Sequence, residues 1–515
     1  MARYKDVHYD QDKFIPVSFH KQILPGTFEY TLSYLIDNEL DLSVFDARYR
    51  NDETGAPAFD PAVLLKIVLY AYSRGITSSR KIEQACRENI IFMALSADTQ
   101  PHFTTIADFI STMDGQIVPL FRNVLMVCDE LKLIGGDMFA IDGCKLPSNA
   151  SKSWSGTKWE LKQKKKKLEK AARAMLKRHR EDDARPDSEQ VQREVQAAQA
   201  IKEKVKKIQR WLDDNDDKPG KGGKPRKSNI TDNDSAKMKA SKGVIQGYDG
   251  VACVDAKHQI IVHGEAFGEA QEHDLLKPMV EQTHAHFQSI GHTTIFKKAR
   301  LTADSGFYNT ANVTHLYRNG IDGYLPDPGF RKRDPRFAQV ERYRARDKKD
   351  KERYYGKKPR HYSSPDFHYD EATQTCICPA GKKLYANGRA NNLRGYEALK
   401  FRGAKRDCLP CAHRSQCFKD PDRTQTRQVA IFIGRSKQAP PSYLDLMRKK
   451  IDTPEGRYQY SRRMGIVEPV FGNICSALGL NRFSLRSKKK VDIQWKLYCM
   501  VHNLLKIHRY GELGL

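Results

Sequence analysis

The sequence predicts a mixed α/β fold: a mixed β-sheet flanked by helices, joined to a helical N-terminal domain and interrupted by two insertions. Short apolar runs that end in Asp-Gly or Asp-Ser-Gly alternate with helical patterns in the predicted core. Two stretches depart from this pattern, one dense in charge and one rich in cysteine. An N-terminal helical DNA-binding domain is predicted over 1–130. The core is predicted over 131–150 and 229–327, and a charged helical insertion with its linker, 151–228, divides it. A basic and cysteine-rich insertion follows over 328–456, and C-terminal core helices over 457–515.

The N-terminal domain has two adjacent helix signals. An apolar stripe begins at Pro61 and stops at Gly75, and Ser78 or Ser79 can cap the next helix. A helix, a tight turn and a second helix with three basic residues fit a DNA-reading unit: Arg80, Lys81 and Arg87. A plain helical bundle with solvated basic residues fits equally well.

The charged insertion predicts an antiparallel helical hairpin. Leu161, Leu168 and Met175 recur every seven residues, and a second helical pattern follows a break near Pro186. Its basic face fits either contact with DNA phosphates or a solvated coiled-coil surface. Glycine and proline between Lys218 and Lys227 predict a linker.

Three acids stand out in the predicted core. Asp142 ends the apolar run Met138–Ile141, Asp304 ends another strand-like run, and Glu468 lies in a basic helical pattern. A carboxylate at the end of a buried strand costs free energy unless hydrogen bonds or a metal satisfy it. Three such acids can hold a pair of Mg²⁺ ions on a nucleic-acid backbone. The alternative is that each aspartate merely caps a turn.

The second insertion begins with interleaved tyrosines and cations between Arg342 and Arg360, which fits nucleic-acid backbone and stacking contacts or a charged disordered loop. Five cysteines follow, and paired short spacings of this kind suit a structural Zn²⁺ bound by four of them, with His413 as a substitute ligand: Cys376, Cys378, Cys408, Cys411 and Cys417. The alternative is a set of reduced cysteines in a small β-rich module.

The overall charge favours a polyanionic partner. Lysine and arginine number 89 against 63 acidic residues, a net charge of +26. Clustered basic runs make nucleic acid the favoured partner over a merely basic soluble surface. No apolar stretch approaches the roughly 20 residues of a membrane span, the stretch Met1–Phe14 is too polar for a signal peptide, and eleven cysteines suit a reducing cytoplasm. We therefore expect a cytoplasmic protein without a membrane partner.

Four motifs in order resemble the DDE transposases of bacterial insertion sequences, which have an RNase H-like catalytic domain. The residues that carry the resemblance are Ile141-Asp142-Gly143 with Lys145 and Asn149, Lys242-Gly243 with Gln246-Gly247-Tyr248, Ala303-Asp304-Ser305-Gly306-Phe307-Tyr308, and Tyr460–Gly472. The segment from Tyr72 to Asn89 also looks like the helical domain that precedes this core in the family.

The resemblance implies roles for specific residues. Asp142, Asp304 and Glu468 match the acids that bind two Mg²⁺ or Mn²⁺ ions, while Tyr460 and Arg463 resemble the start of the Tyr-Arg-Glu-Lys helix signature and would position DNA phosphates. The signature is imperfect here, because four residues rather than three separate Arg463 from Glu468, and its lysine would fall at Cys475. Asp255 and Asp322 are the rival acids.

The resemblance also implies an activity. It is cleavage of double-stranded DNA at the terminal inverted repeats of the element, followed by joining of the 3′-hydroxyl to target DNA, by a homodimer at the bacterial nucleoid. Two other functions remain open: a non-catalytic DNA-binding protein derived from a transposase, and an RNase H-like nuclease. The transposase hypothesis requires the three carboxyl groups to converge within reach of bridging metal ions.

Overall fold

The chain forms two compact units, one of residues 1–328 with 447–515 and the other of residues 329–446. The computed structural model describes residues 16–49, 57–181, 189–220, 223–240, 243–337, 360–388, 391–393, 396–435 and 441–512. Within these ranges, no helix has both the length and the apolar character needed to cross a membrane. The stretch from 342 to 358 and the predicted break near Pro186 lie outside the described residues.

Helices occur in both units and make up much of the first. In chain order the helices of the two units are α1 Phe28–Tyr34, α2 Pro61–Ser73, α3 Ser79–Glu88, α4 Ile90–Leu95, α5 Phe103–Ser111, α6 Ile117–Glu130, α7 Lys158–Glu181, α8 Glu189–Asp214, α9 Leu276–Ser289, α10 Ile295–Lys298, α11 Thr310–Arg318, α12 Lys405–Cys408, α13 Arg414–Cys417, α14 Tyr443–Asp452, α15 Pro454–Gly472 and α16 Lys488–Tyr510.

The strands form one sheet in each unit and a short separate pair. In chain order they are β1 Met138–Pro147, β2 Ser155–Gly156, β3 Ser228–Asn229, β4 Ala236–Ala240, β5 Gly243–Asp255, β6 Ile261–Phe267, β7 Arg300–Ala303, β8 Asp322–Tyr324, β9 His368–Asp370, β10 Thr375–Ile377, β11 Lys383–Ala386, β12 Asn391–Leu393, β13 Tyr396–Arg402 and β14 Gln428–Arg435.

The predicted mixed sheet flanked by helices is confirmed in the first unit. The strand order is β4-β5-β1-β7-β8. Strand β6 pairs with the later part of β5, after the residues of β5 that pair with β4. The β1, β7 and β8 strands are parallel, whereas β4, β5 and β6 pair antiparallel. Helix α9 packs beneath β1 through Phe287, whose ring centre lies 5.5 Å from that of Phe139. The second unit holds a small antiparallel sheet of β9 to β14.

The predicted helix signals near the N-terminus are confirmed. Helix α2 begins at Pro61, and the Asp60 carboxylate accepts the N–H of Ala62 at 2.7 Å. Proline is favoured at this first helical position because the N–H it lacks would have no partner there. The chain turns at Gly75, whose φ of +73° lies in the left-handed region that favours glycine.

The predicted antiparallel hairpin is also confirmed. Near the open end of the α7–α8 pair, the Lys165 ammonium donates to Gln209 Oε1 at 2.6 Å. Leu161 and Trp211 belong to a buried apolar cluster at that end. Burial of this one stripe lets two highly charged helices pack while their other faces stay in water.

The prediction that Asp142 ends its strand is wrong, because β1 continues to Pro147. Through Ile141 this strand pairs on both sides, with β5 and with β7. Beyond Ile141 only β5 remains as a neighbour, since β7 ends at Ala303. Asp142 therefore lies where the strand loses its parallel neighbour, rather than where the strand itself ends.

Helix α16 joins the sheet to the N-terminal helices. The fully buried Trp495 donates its indole N–H to the Val251 carbonyl at 3.0 Å. A Cβ at Gly250 would lie 3.0 Å from the Trp495 ring, so the sheet needs a glycine to accept this indole. Almost one turn further along α16, Tyr498 stacks on Tyr72 with ring centres 4.8 Å apart.

Trp495→Ala should destabilise the first unit by about 3–5 kcal/mol, because it opens a cavity between helix and sheet and leaves a carbonyl without its donor. Urea unfolding followed by circular dichroism measures the effect. Met464→Ala, at a position 57% exposed on α15, should leave the transition unchanged. Equal effects of the two substitutions would contradict this packing.

Candidate active site

The parallel register of β1 and β7 brings Asp142 and Asp304 together. The last paired residues of these two strands are Ile141 and Ala303. Asp142 directly follows Ile141, and Asp304 directly follows Ala303. Neighbouring strands lie about 5 Å apart, and residues in register point to the same face of a sheet. The two carboxylates therefore meet at the point where β7 ends.

Asp142 is largely buried among charges. Burial raises the pKa of Asp142 to about 6, the Arg463 guanidinium and the Gly143 N–H oppose this shift, and the Asp304 and Glu272 carboxylates add to it. The Gly143 N–H donates to Asp142 Oδ1 at 2.9 Å, and Arg463 forms an ion pair with Oδ2. Arg463 thus compensates much of the charge that burial would otherwise disfavour.

Helix α15 supplies two side chains to this point. Tyr460 and Arg463 are three residues apart and so share a helix face. The Tyr460 hydroxyl donates to Asp304 Oδ1 at 3.4 Å, and the Arg463 guanidinium lies 5.8 Å from the centre of the Tyr460 ring. Tyr460 therefore contacts Asp304 directly, and Arg463 contacts Asp142 directly.

Glu468 lies on the same helix but on another side. Glu468 is the fifth residue after Arg463, which places it about 140° around the α-helix from that arginine. Its side chain is exposed and makes no hydrogen bond or ion pair with any residue in the described part of the chain. The structure thus joins two of the three predicted acids, and the assignment of Glu468 as the third remains a prediction.

Glu272 is an acid near this site that the sequence analysis did not single out. It opens the 3₁₀ turn before α9, and its Oε1 accepts from the Lys145 ammonium at 2.6 Å. A Cβ at Gly306 would lie 2.7 Å from Glu272 Oε2, so the glycine after Asp304 leaves room for this carboxylate. Glu272 follows no strand-like apolar run, and its sequence therefore gives little signal.

Asp249 adds a further buried carboxyl group. It faces Lys145 across the β1–β5 pair and is completely buried. Burial and the nearby Glu272 raise the pKa of Asp249 to about 8, against the effect of Lys145. Neither carboxyl oxygen has a hydrogen-bond partner among the described residues. Because side chains alternate along a strand, this group and Asp142 lie on opposite faces of the sheet.

The rival acids lie away from the Asp142–Asp304 pair. The Asp255 carboxylate accepts the N–H groups of Gly135, Gly136 and Lys257 at 2.9–3.0 Å, so it caps a turn. Asp322 begins β8 beside Arg300, the first residue of β7, whereas Asp304 follows the last residue of that strand. Neither rival can join Asp142.

The donors near Asp142 and Asp304 fit a hard divalent cation. They are carboxylate oxygens, which Mg²⁺ and Mn²⁺ prefer. Burial, which is the main cause of the raised pKa of Asp142, and the neighbouring Asp304 carboxylate both disfavour the ionised form of Asp142, which a bound cation would stabilise. Across the described ranges, no three histidine, cysteine or acidic side chains are already arranged to hold a metal ion.

The predicted DNA-contacting residues of α3 are all exposed. The Arg80 guanidinium lies 4.6 Å from the centre of the Phe103 ring, and Arg87 forms an ion pair with Glu83. Lys81 has no hydrogen bond or ion pair to another described residue. Their contact with DNA remains a prediction.

The five cysteines predicted to bind zinc, together with Cys475, occupy three settings. Cys376 is fully buried in the core of the second unit. The other four predicted zinc ligands line one cavity in that unit: Cys378, Cys408, Cys411 and Cys417. Cys475, at the position of the signature lysine, lies with its sulfur 3.5 Å from that of Cys144 in the first unit.

Asp249→Asn should make the protein relatively more stable as pH rises. Between about pH 4 and pH 8 the folded protein keeps the Asp249 proton while the unfolded chain has lost it, so wild-type stability falls by up to about 1.4 kcal/mol per pH unit from this group. The Tm of the variant minus that of wild type, without added divalent ions, should therefore grow from pH 5 to pH 8. A constant difference would show that Asp249 titrates normally; Asp322→Asn, at an exposed position, is the control.

Two family models match the chain. Residues 377–508 match the "Transposase DDE domain", and residues 17–112 match the "Transposase domain (DUF772)". The first match includes α15 with Tyr460, Arg463 and Glu468, and the second includes α3. No curated protein matches the chain. The two matches support a DDE transposase of the insertion-sequence type, and the mixed sheet flanked by helices is consistent with an RNase H-like DDE domain.

Proposed function

We propose that this protein cleaves DNA at the ends of an insertion sequence and joins the freed 3′-hydroxyl to target DNA by two-metal phosphoryl transfer. The observation that carries the proposal is the Asp142–Asp304 pair, set side by side where β7 ends. The family supports action on DNA in general, and the paired carboxylates support the specific chemistry.

Asp142, Asp304 and Glu468 would hold the divalent ions. When bound, the ions would activate the attacking oxygen and stabilise the leaving oxygen. Arg463 lowers the pKa of Asp142 relative to burial alone, so this carboxylate is ionised and able to bind a cation near neutral pH. Tyr460 holds Asp304 by a hydrogen bond and so fixes the orientation of the second carboxylate.

A cationic cleft in the first unit suits the DNA backbone. It has a volume of about 660 Å³, and among the described residues no carboxylate lines it. Four exposed basic side chains line the cleft: Lys152, Lys207, Arg482 and Arg486. Arg486 is held by its Nε, which donates to the Asn149 carbonyl at 3.2 Å. Such a cleft would bind phosphates of any sequence and would position the duplex rather than read it.

The protein would work as a homodimer on double-stranded DNA in the bacterial cytoplasm, because two terminal repeats must be held together. The α7–α8 hairpin offers a contact surface, with Trp159 68% exposed. Light scattering with and without DNA of the gene's own flanking sequence measures the assembly.

Asp142→Asn and Asp304→Asn should each lower DNA cleavage by roughly 100-fold or more, since loss of a metal ligand removes several kcal/mol of transition-state stabilisation. The substrate is a plasmid that carries the gene with its flanking DNA on both sides, assayed in Mg²⁺, and gel shift measures binding separately. Binding should stay near the wild-type level. Asp322→Asn is the matched control and should cleave normally.

A variant of either aspartate that cleaves like wild type would refute the assignment. Wild-type protein that binds this DNA yet never nicks it would support the non-catalytic DNA-binding function instead. Nicking without joining of pre-cleaved ends would support an RNase H-like nuclease.

Glu468→Gln and Glu272→Gln together identify the third acid. If Glu468 binds metal once DNA is present, Glu468→Gln should lower cleavage as strongly as Asp142→Asn, while Glu272→Gln should retain most activity. Cleavage of the same plasmid over a range of Mg²⁺ concentrations measures both. The reverse order of effects would assign the role to Glu272, whose carboxylate contributes to the raised pKa of Asp142.

A further inference from the structure

The described part of the second unit has a small apolar core. Its buried cluster, in the part that the structure describes, contains Phe367, Cys376, Leu384, Phe401 and Val429. Small modules with so little buried apolar surface usually need a further restraint, such as disulfides or a structural metal ion.

Four cysteines of this unit surround a single cavity on the outside of that core. The cavity has a volume of about 30 Å³, which accommodates a single ion but no organic ligand. The cysteines reach it from three separate turns: Cys378 after β10, Cys408 and Cys411 at and after the end of α12, and Cys417 at the end of α13. Cys376 contributes to the core instead.

The turn at Cys378 is shaped for a thiolate. The Lys382 N–H donates to the Cys378 sulfur at 3.4 Å, and the Gly381 N–H donates to the Cys378 carbonyl at 2.8 Å. Gly381 has a φ of +73°, which lets the chain fold back so tightly. A backbone N–H directed at sulfur stabilises the charged form that binds metals.

The other side of the cavity is similarly built around sulfur. A Cβ at Gly403 would lie 2.6 Å from the Cys408 sulfur, so this glycine makes room for the thiol. Arg414 donates to the Cys408 carbonyl at 2.9 Å.

His413 also lines the cavity, and its Nδ1 lies 2.7 Å from the Tyr362 hydroxyl. The four thiols are sufficient without it, because four thiolates complete the tetrahedral ligand set that zinc prefers.

We propose that Cys378, Cys408, Cys411 and Cys417 bind one structural Zn²⁺, and that Cys376 is not a ligand. In the described ranges no three potential ligands are already arranged to hold an ion. Binding would therefore draw the sulfurs inward and release their protons, which makes loading weaker at low pH. This proposal is independent of the DNA chemistry, since the ligands belong to the second unit.

The test uses the full chain, purified with ZnCl₂ and then freed of excess metal. Wild type and Cys376→Ala should each hold about one zinc per chain, whereas Cys378→Ser and Cys411→Ser should hold less than about a fifth of that. Mass spectrometry of the metal, with release by a thiol reagent, measures the content. Zinc-free wild type, or equal loss in Cys376→Ala and Cys411→Ser, would overturn the proposal.

A second measurement keeps the test valid if the serine variants fail to fold. Co²⁺ added to zinc-stripped wild type should produce the intense near-ultraviolet absorption of thiolate-to-cobalt charge transfer and the visible bands of tetrahedral coordination. Cys376→Ala should give the same spectrum. Octahedral spectra, or the absence of the near-ultraviolet charge-transfer band, would contradict a tetrahedral four-thiolate site.

Discussion

The parallel register between β1 and β7 is the constraint on which the catalytic arrangement depends. Hydrogen bonding up to Ile141 and Ala303 makes Asp142 and Asp304 neighbours, although 161 positions separate them in the sequence. Strand β1 then continues along β5 alone, so the pair lies beside a gap in the sheet rather than inside it. A shift of the register by one residue would turn Asp142 to the opposite face and separate the two carboxylates.

Charge balance around that pair explains much of what surrounds it. The two partly buried carboxylates repel each other. Helix α15 stabilises them, because Arg463 forms an ion pair with Asp142 and Tyr460 donates a hydrogen bond to Asp304. On the other face, Lys145 pairs with Glu272 beside Asp249, whose carboxyl oxygens have no hydrogen-bond partner among the described residues. Among the described residues, the site therefore holds more carboxyl groups than cations. Such a site costs stability and gains affinity for cations.

The sequence predicts the local helices and strands of the core, whereas the positions of several acids depend on pairing between distant strands. Periodicity and punctuation by Pro61 and Gly75 predicted local elements, and apolar runs predicted the strands before both aspartates. Asp142 was misplaced at a strand end because sequence shows where an apolar run stops, not where pairing with a distant β5 continues. Glu272 and Asp249 gave no comparable signal, since their importance arises from Lys145 and Gly306 brought near them by folding.

Metal-directed cleavage of the polypeptide tests most directly whether Asp142 and Asp304 share a cation. Fe²⁺ loaded in place of Mg²⁺, with ascorbate and peroxide, cuts the chain near its binding site. The account predicts cuts close to Asp142 and Asp304 that excess Mg²⁺ suppresses and that Asp142→Asn removes. Cuts within the cysteine unit would resist Mg²⁺ and so be distinguishable. Mg²⁺-sensitive cuts at neither aspartate, or cuts unchanged in Asp142→Asn, would contradict the shared site.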